Sequence, residues 1–239
     1  MTDPGRVLVV EHEADAPLGW LGEWLEDAGL HLDVRRPYAG EQLPSSLSGY
    51  TGLVVLGGSM GAYDDDEHPW LTPTKTLLRE ALRDDVATFG VCLGHQLASV
   101  ALGGEVARHP AGRQIGVIPL VWTRAAATDP VFAQLPEARG VHWNDDVVVE
   151  LPPGAVLLAG TPIGGPQALR LGRRAWSVQF HPEAGYDIAV RWLESDERDG
   201  SPRDPDVEAA MLVLKNADAE LYQTWQPVAA RFAHQVLER

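Results

Sequence analysis

A single cysteine stands among 239 residues, and its neighbours suggest chemistry. In residues 86–97, "VATFGVCLGHQL", Cys92 has Gly90 two places before it and Gly94 two places after. The apolar run up to Val91 reads as a short buried strand, and the spacing over 93–102 reads as a helix. Cys92 therefore falls at a strand-to-helix turn. Such a tight turn needs small neighbours, because a Cβ there would collide with the adjoining backbone. The G-x-S-x-G elbow of serine hydrolases uses the same logic to present its nucleophile above a sheet. The positive end of a helix dipole would also favour the reactive thiolate. The competing reading is a small buried hydrophobe, the common fate of a free cysteine.

A thiol nucleophile needs a base, and the base needs an orienting group. Of eight histidines, His181 in "SVQFHPEAG" (177–185) directly follows an apolar strand. Active-site residues of parallel α/β sheets gather at such strand ends. Glu183 lies two residues on, and Pro182 favours an extended His181, so both side chains point the same way. The carboxylate can then hold one imidazole nitrogen and leave the other facing the thiol. Taken alone, His-Pro-Glu could equally be a surface turn. His95 lies three residues along the helix from Cys92 and reads as packing or pocket wall. His109, His142 and the remaining histidines show no metal-ligand spacing.

The elements that must position these residues follow from the apolar pattern. Strands at "RVLVVE", "HLDVRR" and "GLVVLGG" alternate with helices at 18–29 and from "TPTKTLLREALRDD", where Thr72 is the expected N-cap and Pro73 the first helical residue. This alternation predicts an α/β fold of three layers, a mostly parallel sheet with helices on both faces. From about residue 115 successive strands take over: "IGVIPLVW", "GVHWN", "DVVVEL", "AVLLAG", "QALRL" and "AWSVQF". The last two have a hairpin signature and predict a small antiparallel section. The expected organisation is one main domain over 1–193, an exposed polar loop at 194–206, and a helical appendage at 207–239 packed on the same domain.

Composition bounds the partners. A net charge of −15 argues against nucleic-acid or anionic-membrane surfaces, which need clustered Lys and Arg. One cysteine forms no internal disulfide, no apolar run reaches membrane-spanning length, and the N-terminus lacks a signal-peptide pattern. A cytoplasmic chain is expected. The glycines of "GGSMG" (57–61) are not followed by the lysine of a phosphate loop, and Asp64, Asp65 and Asp66 would repel phosphate. That aspartate run lacks the spaced ligands of a calcium loop and reads as solvated. The tryptophans of "WLGEW" read as packing rather than a cofactor box.

"GVCLGHQ" followed about ninety residues later by "VQFHPE" resembles the class I glutamine amidotransferases, a Cys-His-Glu amidase family. The resemblance covers roughly 5–190 and is closest to stand-alone chains similar to the amidotransferase part of GMP synthetase. "LVVLGGSMGAYDDDEHPWL" (53–71), "HWNDDVVVELPPGAVLLAGT" (142–161) and "QALRLGRRAWSVQFHPE" (167–183) agree with it. It implies a flavodoxin-like fold and catalytic roles for Cys92, His181 and Glu183. It further implies oxyanion donors at the backbone of Gly58 and Leu93, and a glutamyl contact at Gln96. "WNDD" (143–146) stands where the family lines its glutamine pocket. Asn144 departs there from a histidine common in stand-alone chains, whereas Asp146 matches their aspartate and could hold a substrate ammonium.

The expected substrate is L-glutamine or another γ-glutamyl amide, hydrolysed through a thioester with no metal or organic cofactor. Amidotransferases pass ammonia to a synthetase, and the stretch after 190 is too short to be one. The implied partner is a separate synthetase, or none. The alternatives are an autonomous hydrolase of larger γ-glutamyl amides or peptides, and a catalytically silent binding relative. The silent relative is disfavoured because no triad residue is missing.

Overall fold

Val7, Leu8, Val9 and Val10 are all fully buried. A strand achieves this only when both faces of its sheet are covered, and that requirement organises the fold. The computed structural model describes residues 5–135, 137–162, 164–198, 200 and 206–238. Its first half alternates β1 (Arg6–Val10), α1 (Gly19–Asp27), β2 (His31–Arg35), β3 (Gly52–Val55), α2 (Leu71–Arg83), β4 (Ala87–Val91) and α3 (Leu93–Ala101). Strands then follow one another: β5 (Glu105–Arg108), β6 (Gln114–Pro119), β7 (Val121–Trp122), β8 (Arg139–Asn144), β9 (Asp146–Glu150), β10 (Val156–Gly160), β11 (Pro166–Gly172) and β12 (Ala175–Val178). Two helices come after them, α4 (Tyr186–Arg198) and α5 (Val207–Leu237).

The main sheet has the order β2-β1-β3-β4-β12-β11-β10-β7. Its first five strands are parallel, and β11, β10 and β7 continue it antiparallel. Two antiparallel ribbons stand apart, β5 with β9 and β6 with β8. Alternate residues of β1 serve opposite cores. Val7 and Val9 pack with α1, α4 and α5, while Leu8 and Val10 pack with α2 and α3. The fold is therefore the three-layer α/β arrangement that the alternation predicts.

Helix α5 joins the first core through Met211, Leu214, Ala217, Leu221, Trp225, Val228, Phe232 and Val236, spaced by three and four residues. That spacing puts them on one stripe. Pro227 interrupts the helical hydrogen bonds at a cost of ~3 kcal/mol. Burial of Leu221, Trp225, Val228 and Phe232, at ~1.5–3 kcal/mol each, outweighs it. The ring of Trp225 lies 4.6 Å from that of Phe180, one residue before His181, so the C-terminal helix braces the site from behind.

Three expectations are corrected. Helix α2 begins at Leu71, with Trp70 at its N-cap and no side-chain cap, because the Thr72 hydroxyl donates to Asp65 instead. The run 115–122 is two strands in different sheets. Pro119 ends β6, and Leu120 still donates to Ala138 before the chain crosses to the β10 edge. The stretch expected as a loop from 194 begins as helix, since α4 continues to Arg198. Arg113 grips Asp196, and Arg198 pairs with Asp15, which hold that last turn in place. Of the remainder, 199 and 201–205 lie outside the described residues. No described helix is long and apolar enough to cross a membrane.

Candidate active site

Cys92 occupies the junction of β4 and α3 with φ 49° and ψ −104°, a strained conformation for a residue with a side chain. Its N–H donates to the Val178 carbonyl at 2.8 Å, tying the elbow to the end of β12. A Cβ on Gly90 would fall 2.8 Å from the Gly94 oxygen, and one on Gly94 only 2.1 Å from the Val55 oxygen. No other residue fits at Gly94. The glycines thus let α3 start directly above the sheet, with Cys92 at its N-terminus.

Strand β12 runs parallel to β4 with Val178 opposite Val91, so the segment leaving β12 emerges beside the elbow. His181 donates its N–H to Val141 of β8, and its Nδ1 lies 2.6 Å from Glu183 Oε1. Both residues are buried. Burial alone would lower the imidazole pKa. The Glu183 carboxylate and the Cys92 sulfur outweigh it and push His181 up to about 10. Trp20 donates its N–H to the Glu183 carbonyl, and at Gly19 (φ +48°) a Cβ would lie 2.2 Å from the same oxygen. The start of α1 therefore fixes the carboxylate's backbone.

Cys92 and His181 open onto a cavity of about 700 Å³, which Gly58, Gln96, Asn144 and Asp146 also line. Gly58 belongs to a loop pressed against the elbow: a Cβ on Gly57 would lie 3.5 Å from Cys92 Cβ and 3.1 Å from His181 Cε1. Leu93 is fully buried, and as the first residue of α3 its N–H is one of the helix donors left without an intrahelical partner. Gln96 donates to the Asp146 carbonyl at 2.9 Å and to Gln179 Oε1 at 3.2 Å. Asn144 donates to that same Asp146 carbonyl at 3.2 Å. The Asp146 carboxyl pKa is raised by burial, against the pull of Arg108 and with Asp145 and Asp64 repelling it.

Several residues around the cavity are given no individual role by the motifs. Gln179 is fully buried, and its Nε2 lies 3.6 Å from Cys92 Sγ, linking Gln96 to the thiol. It shares the parity of His181 and Glu183 in an extended segment, which was the available clue. Trp192 of α4 packs on the His181 ring with centroids 4.4 Å apart, and Trp143 lies 5.8 Å from Trp192. Asp196 accepts from Trp143 Nε1 and from Arg113. His95 is fully buried and bonds Ser177, so it is packing and not pocket wall. The aspartate run is anchored rather than simply solvated. Asp65 pairs with buried Lys75, and Asp64 accepts from the Gly61 N–H and lines the cavity.

The model of the family "Glutamine amidotransferase class-I" matches residues 20–188. The chain belongs to that family. A glutamine amidotransferase-like protein of Salmonella typhimurium, YfeJ, is 31% identical over 182 residues, covering 74% of this chain and 75% of its own. Gamma-glutamyl peptidase 4 of Arabidopsis thaliana is 26% identical over 212 residues, covering 87% and 83%. A glutamine amidotransferase of Thermotoga maritima superposes with a TM-score of 0.84 at 25% identity, covering 95% of this chain and 97% of its own. This amidotransferase-family chain therefore has relatives named for glutamine and for γ-glutamyl peptides.

Proposed function

We propose that the protein is a cysteine amidase that hydrolyses the side-chain amide of L-glutamine to glutamate and ammonia. The observation that carries this reading is the 2.6 Å Glu183–His181 pair beside Cys92 on the cavity floor. His181, its pKa raised, is the base that takes the thiol proton. The thiolate attacks the amide carbonyl, and the backbone N–H groups of Gly58 and Leu93 receive the oxyanion. Imidazolium passes its proton to the leaving nitrogen, releasing ammonia and a γ-glutamyl thioester. Water deprotonated by His181 then frees glutamate and restores the thiolate. Glu183 orients the imidazole and stabilises its charge. Gln96 and Asp146 serve the glutamyl group, with Asn144 beside them. The residues need no metal or organic cofactor for this sequence, and a separate synthetase is the acceptor that amidotransferase chemistry implies.

The cavity volume favours a second reading, hydrolysis of larger γ-glutamyl amides or peptides by the same triad. About 700 Å³ lies within the ~300–1,000 Å³ of pockets that hold drug-sized ligands, well beyond glutamine. The test is turnover of glutamine and a γ-glutamyl peptide panel, followed by mass spectrometry of acid-quenched enzyme. A γ-glutamyl adduct on Cys92 with glutamate release is expected. Turnover with no trace of adduct, or turnover surviving in Cys92→Ala, would sink the proposal.

A further inference from the structure

We infer that the leaving-group half of this cavity selects γ-glutamyl amides whose amine portion carries a positive charge at its far end. The inference rests on the amidase reading above. His181 delivers the proton to the leaving nitrogen, so the departing amine emerges beside His181. Trp192 packs on that imidazole, and Trp143, Asp15, Ser195, Asp196 and Glu13 continue the wall outward. Gln96 and Asp146 lie on the other side, joined to Cys92 through Gln179.

The charge of the cavity as a whole is unbalanced, and on the leaving-group side Glu13 is the carboxylate without a cation. Six carboxylates line the cavity (Glu13, Asp15, Asp64, Asp145, Asp146 and Asp196) against two guanidinium groups, Arg108 and Arg113. Both cations are engaged. Arg113 holds Asp196 through two bonds of 2.7 and 2.9 Å, and Arg108 spans Asp145 and Asp146. Arg198, outside the lining, pairs with Asp15. Glu13 has no cationic partner among the described residues. Its Oε2 accepts from the Ser59 N–H and hydroxyl, and Oε1 has no hydrogen-bond partner among the described residues. The glutamyl group brings one ammonium and one carboxylate and leaves the excess unchanged. A distal cation on the leaving amine relieves it, with Glu13 as counter-ion. A distal carboxylate meets repulsion instead, because freeing Arg113 to receive it would strand Asp196.

Three amides with the same four-methylene chain test this: γ-glutamyl-(4-aminobutyl)amide, γ-glutamyl-n-pentylamide and γ-glutamyl-5-aminopentanoate, with glutamine run beside them. The expected order of kcat/KM is cation, neutral, anion, with the cation favoured over the anion about tenfold or more at low salt and less at high salt. Glu13→Gln keeps an acceptor for Ser59 and should shrink that ratio several-fold. The ratio within one variant cancels any general loss of rate. If glutamine turns over while the three amides react equally, are all inert, or favour the anion, the charge selection is overturned and the amidase reading stands. If glutamine and every amide are inert, the amidase reading falls and takes the subsite with it.

Discussion

The indole of Trp192 lies over the imidazole of His181 with ring centroids 4.4 Å apart. Trp192 also donates Nε1 to the Asp15 carbonyl, which fixes the ring. Helix α4 thus shields the proposed base from solvent, although it follows the Cys92 and His181 motifs in sequence. Trp192→Ala should keep the fold and lower kcat/KM by about 10–100-fold, since a small misplacement of a reacting group is costly. Trp192→Phe should restore much of it. Steady-state kinetics with thermal melts decide this, and an unchanged kcat/KM in the alanine variant would remove Trp192 from any positioning role.

Losses along the triad should be graded. Cys92→Ala and His181→Ala each remove a chemical participant and should cut kcat by about 10⁴ or more while the melt is retained. Glu183→Gln should lose less, because the orienter only positions and stabilises the imidazole. Cys92→Ser matching wild type would contradict a thioester route.

The activity should have an alkaline limit set by His181. Its raised pKa keeps the imidazolium available through neutral pH and loses it as pH passes about 10. The linked stability has the same sign: it is fully present below the ordinary histidine value of 6.5 and is lost as pH rises through about 10. In Glu183→Gln the carboxylate that favours the cation is gone, so the alkaline limb of kcat should move to lower pH. A limb that stays in place would show that Glu183 does not set it.

Acid should act through other histidines. His12, His95 and His142 are pushed down to about 3, burial being the main cause in each. Unfolded chains bind protons at these positions below about 6.5, and the folded chain does not. Their contribution is present above that value and is lost as pH falls towards 3. Melting temperature should therefore drop steadily over that window, and His95→Gln should flatten part of the slope. A Tm unchanged between pH 6.5 and 4 would contradict this.

Gly94→Ala tests the elbow. With Val55 oxygen and carbon 2.1 and 2.8 Å from the added Cβ, backbone must move. A loss of about 3 kcal/mol or more is expected, beyond the usual range for single substitutions. Gly40→Ala is a useful control, since nothing lies within 4 Å there and only its φ of +87° opposes the change. Denaturant unfolding of the two variants should separate collision from backbone strain.

The sequence by itself determined what is local. The apolar run of β4, the glycines around Cys92 and the parity of His181 and Glu183 each encode a geometry within a few residues, so the elbow and the His181–Glu183 pair were legible before any fold. The α/β alternation fixed the layers in the same way. Only the tertiary structure decided which distant residues meet. Strand β12 lands beside β4, delivering His181 to Cys92 across some ninety residues, through a parallel register that no local pattern specifies. Thr72 spends its hydroxyl on Asp65 rather than on a cap, and the polar stretch after 193 begins as helix because Asp196 finds Arg113. Trp192 became cavity wall for the same reason. Side-chain partners far apart in the chain outweigh local propensity, and a linear pattern carries no record of them.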